Sequence, residues 1–98
     1  MASPQHVRPE LTPVDPLVLL VEDDLDSREM YEAGLQWAGF RVTSVADGSV
    51  AYDRAVSIGP SIVVADLHVP GLNGLELCRR LKRTESTARI PVLSLIHI

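Results

Sequence analysis

Ile62-Val63-Val64-Ala65-Asp66-Leu67-His68-Val69-Pro70-Gly71-Leu72-Asn73-Gly74 is the stretch that decides how this chain folds. Its apolar run is too short for a helix and ends abruptly in one aspartate. The turn-forming residues Pro70, Gly71, Asn73 and Gly74 follow. Such a run reads as a strand buried on both faces, as in a parallel sheet with helices on either side. A carboxylate at the carboxyl end of such a strand lies where open α/β sheets place their ligands. Asp66 equally suits a simple cap on the turn, so a second signal is needed.

Leu17-Val18-Leu19-Leu20-Val21 repeats the pattern, with Glu22-Asp23-Asp24 directly after it. Acids at the start of a helix complement its positive end. That accounts for Asp24, and for Asp26 with Glu29 three residues on, in a capping-box-like arrangement. It accounts less well for Glu22 and Asp23, which belong to the strand end. From Asp26 to Ala38 the spacing of Met30, Tyr31, Gly34, Leu35 and Ala38 predicts one apolar helix face. Gly39 is placed to close that helix in the left-handed conformation. Trp37 falls off the face and reads as a cover for the core rim rather than a partner-binding anchor.

Phe40–Val45 alternates with period two, predicting a strand with one wetter side at a sheet edge. Asp47-Gly48 makes a turn, and Ser49–Ile58 a short helix packed through Ala51 and Ala55. Beyond Gly74, Leu75, Leu77, Cys78 and Leu81 mark the buried face of a third helix. Its acid at Glu76 and bases at Arg79, Arg80, Lys82 and Arg83 match the helix dipole. Thr84–Arg89 is a loop, and Ile90-Pro91-Val92 opens a last strand. Strands alternating with helices give β-α-β-α-β-α-β, an α/β doubly wound parallel sheet.

The 98 residues allow one domain. A net charge of −4 leaves no basic footprint for nucleic acid in this segment. The single cysteine, Cys78, excludes an internal disulfide and a cysteine-based metal site. No apolar run reaches the length of a membrane span, and residues 1–15 lack a signal-peptide core, so the expected location is cytoplasmic. Pro4, Pro9 and Pro13 make residues 1–15 a disordered or extended leader.

Side-by-side strands would bring Glu22, Asp23 and Asp66 into one crevice. Crowded carboxylates repel unless a cation neutralises them. An all-oxygen set suits Mg²⁺, which keeps several waters and a substrate phosphate. One carboxylate could then attack phosphorus, a transfer governed by positioning and charge neutralisation. These arguments do not choose Asp66 over Asp23 as nucleophile.

Val18–Asp24, Ala46-Asp47-Gly48, Asp66–Gly74 and Ile90-Pro91-Val92 together resemble the receiver domain of bacterial two-component response regulators, over about residues 17–92. The resemblance implies a flavodoxin-like receiver fold, incomplete at its C-terminus, with residues 16–92 as the partial receiver domain. It implies that Asp66 is the phosphoacceptor, served by a histidine kinase or a histidine phosphotransfer protein in phosphorelay signalling. It makes Asp23 the direct Mg²⁺ ligand, Glu22 the second acid acting mainly through water, and the His68 backbone carbonyl a further ligand. The His68 imidazole takes a variable position that tunes dephosphorylation, or simply faces solvent. The domain would assist its own phosphorylation and dephosphorylation without being an enzyme in its own right, and would pass its signal to a partner or to a C-terminal output domain that this chain does not include.

Leu93–Ile98 departs from the family. The switch Thr or Ser position is occupied by Ile96, with Ser94 two residues too early, and the lysine that closes the family's fifth strand has no counterpart. Leu-Ser-Leu-Ile-His-Ile is also what the mosaic end of a transposon-based sequencing adapter encodes in one frame. Residues 93–98 therefore read as the last strand or as a non-native adapter-derived tail. A chain ending there would have an unpaired apolar edge and fold poorly. The other readings are a phosphorylation-independent pseudo-receiver used as an interaction module, and a haloacid-dehalogenase-type phosphatase. The latter needs an acid where His68 stands. A dinucleotide-binding domain would need a Gly-rich loop after the first strand.

Overall fold

A computed structural model describes residues 11, 12 and 14–95. Four parallel strands, β1 (Leu17–Val21), β2 (Arg41–Val45), β3 (Ile62–Asp66) and β4 (Val92–Leu95), form one sheet in the order β2-β1-β3-β4. Three helices connect them: α1 (Leu25–Trp37), α2 (Gly48–Ile58) and α3 (Gly74–Arg83). The strand order reverses at β1, whose neighbours are β2 on one side and β3 on the other. Connections leaving β1 and β3 therefore diverge, opening a crevice at the carboxyl ends of these two strands.

Strand alternation divides the core between the two faces of the sheet. Leu19, Val21, Val63 and Ala65 face α2 and α3, packing with Ala51, Ala55, Leu77 and Leu81. Val18, Leu20 and Val64 face the other way, toward Tyr31 and Leu35 of α1. Continuous apolar runs in β1 and β3 reflect burial on both sides. The alternating run of β2 belongs to an edge strand, where only Val45 is buried.

Four local expectations are corrected. The N-cap of α1 is Asp24, not Asp26. The Asp24 carboxylate accepts the Ser27 N–H at 2.9 Å, so the helix starts one residue earlier. The apolar face of α1 narrows to Tyr31 and Leu35, one turn apart. Met30 is 62% exposed, Gly34 and Ala38 are exposed, and no residue of the helix is buried. Trp37 is 64% exposed rather than covering the rim. Two residues beyond Leu35 is about 200° around the helix, so Trp37 projects from the opposite side. Asp47, read as part of a turn, is the N-cap of α2 and accepts from the Ser49 and Val50 amides, with Gly48 as the first helical residue. Gly39 closes α1 at φ +102° as expected.

In α3, Leu77 and Leu81 are fully buried, whereas Leu75 is 56% exposed and Cys78 only half-buried. The following loop turns on Thr87, whose Oγ1 donates to the Leu81 carbonyl at 2.7 Å. Lys82 secures the same loop through the carbonyls of Ala88 and Ile90. The leader expected over residues 1–15 falls mostly outside the described residues, as does Ile96. Asp15 at its end, and Pro16 just after it, are tied to Arg41 through their carbonyls.

Candidate metal centre

The crevice collects all three acids predicted for it. Glu22, Asp23 and Asp66 each present a carboxylate oxygen, and these oxygens lie within 4.8 Å of one another. The register explains the convergence: Val21 of β1 pairs with Ala65 of β3, so Glu22 and Asp66 are the next residues on adjacent strands. Glu22 and Asp66 are buried, at 1% and 5% exposure, while Asp23 is exposed. The set therefore has a dry floor and a wet rim.

Each acid is held by the chain around it. The Glu22 carboxylate accepts the Asp24 N–H at 3.2 Å, and the Glu22 carbonyl accepts from the Arg28 guanidinium at 3.1 Å. The first turn of α1 thereby fixes the acid that precedes it. The Asp66 Oδ1 accepts the His68 N–H at 3.0 Å, folding the loop back over the strand end. Gly74 begins α3 against Asp66 and Leu67. A Cβ there would stand 3.0 Å from both the Asp66 carbonyl oxygen and the Leu67 Cα.

Burial raises the Glu22 pKa above the usual carboxylate value, and the Asp66 charge and hydrogen bonds with Asp23 and Asp66 push the same way. The Asp24 amide opposes them. A buried acid held above its ordinary value beside two others is a site short of positive charge. Three oxygen donors at this separation match the hard-ligand chemistry of Mg²⁺. The donor set thus fits the ion that the sequence reading called for.

His68 is exposed, and its ring lies on the solvent side of the loop while its backbone takes part in the Asp66 turn. In register, Leu95 pairs with Asp66 and Ser94 with Ala65; Ile96 lies outside the described residues. Lys82, the only lysine of the chain, is committed to the loop after α3. Sequence reasoning missed the supporting roles of Asp24 and Arg28. The i-to-i+6 reach from Arg28 back to a strand-end carbonyl has no sequence signature.

Comparison with known proteins places this geometry. The response regulator receiver domain family matches residues 18–97. The DNA-binding dual master transcriptional regulator RpaA of Synechocystis is 36% identical over 80 residues, covering 82% of this chain and 33% of that protein. The phosphate regulon transcriptional regulatory protein PhoB of Pseudomonas aeruginosa is 36% identical over 78 residues, covering 80% and 34%. The chain thus spans about a third of the length of these curated relatives. Among solved structures, the receiver domain of sensor histidine kinase PA1611 from Pseudomonas aeruginosa superimposes with a TM-score of 0.79. It is 33% identical, with coverage of 83% of this chain and 66% of that one, and carries a magnesium ion in its active site cleft. Chemotaxis response regulator CheY4 of Vibrio cholerae matches with a TM-score of 0.77 at 28% identity, covering 81% and 66%. The acidic crevice, the doubly wound sheet and these matches agree: the chain belongs to the response regulator receiver domain family.

Proposed function

We propose that this domain accepts a phosphoryl group on Asp66 from the phosphohistidine of a histidine kinase or phosphotransfer protein. The observation that carries the reading is a buried aspartate at the carboxyl end of β3, its oxygen within 4.8 Å of carboxylate oxygens of Glu22 and Asp23. In the transfer a phosphorus–nitrogen bond breaks, a phosphorus–oxygen bond to the Asp66 carboxylate forms, and the imidazole departs. Mg²⁺, when bound, supplies the positive charge that lets an anionic nucleophile meet an anionic phosphoryl group. Glu22, Asp23 and Asp66 would hold the ion, Asp23 directly and Glu22 mainly through water, with the His68 carbonyl as a further ligand. The buried position of Asp66 orients its carboxylate, and the His68 N–H restrains one of its oxygens. The domain is a phosphoacceptor, assisting its own chemistry and turning over no separate substrate.

The test is Mg²⁺-dependent binding of beryllofluoride, a phosphoryl mimic, followed by phosphotransfer from acetyl phosphate. Wild type should bind the mimic only with Mg²⁺ present. Asp66→Asn should lose both responses, and Asp23→Asn should lose the binding that Mg²⁺ supports. Equal responses from wild type and Asp66→Asn would leave a phosphorylation-independent interaction module as the function.

A further inference from the structure

The Ala46-Asp47-Gly48 motif takes no part in the acidic crevice, yet it is locked to the loop that follows Asp66. The Gly48 N–H donates to the Pro70 carbonyl at 3.0 Å. Gly48 lies so close to Leu72 that a Cβ would stand 1.5 Å from the Leu72 carbonyl oxygen. The loop approaches Asp47 as closely. Gly71, at φ +76°, would set a Cβ 2.5 and 2.6 Å from the two Asp47 carboxylate oxygens. That carboxylate is itself fixed, because Oδ1 accepts the Ser49 N–H at 2.7 Å and the Val50 N–H at 3.3 Å. Two glycines thus let two backbone segments interlock where any larger residue would force them apart.

The loop needs such a lock. It is anchored near its start by the buried Val69 and by the His68 N–H on Asp66, and at its end by Gly74. Between these points Leu72 is half-buried against the core, but Pro70 and Gly71 are exposed, so apolar burial does not hold those two residues. A loop left free there would pay its ordering entropy when a ligand binds.

We propose that the Asp47-Gly48 corner is a positioning element for divalent-cation binding. It seats Pro70–Leu72 and so holds the His68 backbone at the crevice before the ion arrives. The inference rests on the Mg²⁺ reading of Glu22, Asp23 and Asp66. Neither Asp47 nor Gly48 touches the ion; both act through the loop.

The experiment is an Mg²⁺ titration of the 98-residue chain followed by backbone amide NMR. In wild type, the Gly48 amide should shift along the same binding curve as the amides of Asp23 and His68. Gly48→Ala should weaken Mg²⁺ binding by about tenfold, the scale of losing a supporting contact behind a metal ligand. Ala55→Gly, which loosens the same helix, and Gly34→Ala, which meets nothing within 4 Å, should leave the affinity unchanged. A folded Gly48→Ala chain that binds Mg²⁺ as wild type does would overturn the proposal. So would a Gly48 amide that stays still while the crevice amides move, and this arm decides the matter if Gly48→Ala does not fold. If instead Asp23→Asn binds Mg²⁺ as tightly as wild type, the metal reading itself fails, and the positioning role falls with it.

Discussion

At the scale of single residues, the site is an electrostatic conflict that a bound cation would relieve. Glu22 is buried beside Asp66, and both its desolvation and that neighbour's charge disfavour its ionised form. In the metal-free fold it therefore keeps its proton to a higher pH than in the unfolded chain. Its stabilising contribution is complete below the ordinary value of 4.5 and is lost as pH rises through the raised value. Glu22→Gln removes that loss. In EDTA, urea unfolding from pH 4.5 to neutrality should show the variant gaining stability over wild type as pH rises, while its Mg²⁺ affinity falls. A variant curve parallel to wild type across that window would mean Glu22 is not under this strain. Gly74 works through shape rather than charge. Gly74→Ala forces a Cβ against the Asp66 carbonyl and Leu67 Cα, and overpacking of this kind costs about 1–3 kcal/mol. Urea midpoints at saturating Mg²⁺ measure that cost.

At the scale of elements, each helix starts on a side chain that accepts its own backbone amides: Asp24 for α1, Asp47 for α2 and Asn73 for α3. Two of these caps also border the functional loops. Asn73→Ala removes the acceptor of the Glu76 N–H and should destabilise the domain by about 1 kcal/mol. Its shift in thermal midpoint should exceed that of Ser86→Ala in the exposed loop, which serves as the comparison. The end of α3 depends on Thr87, a buried hydroxyl bonded to the Leu81 carbonyl. Thr87→Val keeps the volume and strands that acceptor, for an expected loss of about 1–3 kcal/mol in urea unfolding. Thr87→Ser, which keeps the hydroxyl, should recover most of the loss.

At the scale of the whole molecule, the strand order sets the place of function. β1 sits between β2 and β3, and the divergence of the connections leaving β1 and β3 puts the crevice at Glu22 and Asp66. Binding there should stabilise the fold by mass action, so the thermal midpoint should climb with Mg²⁺ concentration and fall back in EDTA. Asp23→Asn should flatten the climb.

The alternation of elements was legible in the residues because burial on two faces demands unbroken apolar strands, whereas the edge strand β2 can alternate. The acid pair, the phosphoacceptor candidate and the Gly-bearing turn were legible because they stand at strand ends, where a side chain is placed by chain position alone. Helix faces were less so. Met30 and Leu35 look equivalent in the sequence of α1, but which of them is covered depends on how the helix axis lies on the sheet. By itself, then, the sequence determined a parallel α/β sheet with acids at the ends of two strands, since local hydrophobic period and chain punctuation carry that information. Only the tertiary structure decided that Glu22, not Asp23, is the dry acid, and that Arg28 and the Asp47-Gly48 corner brace the site. The Asp47-Gly48 corner meets residues more than twenty positions away, and the Arg28 contact spans a strand end and a helix turn, so no local pattern encodes the fit between them.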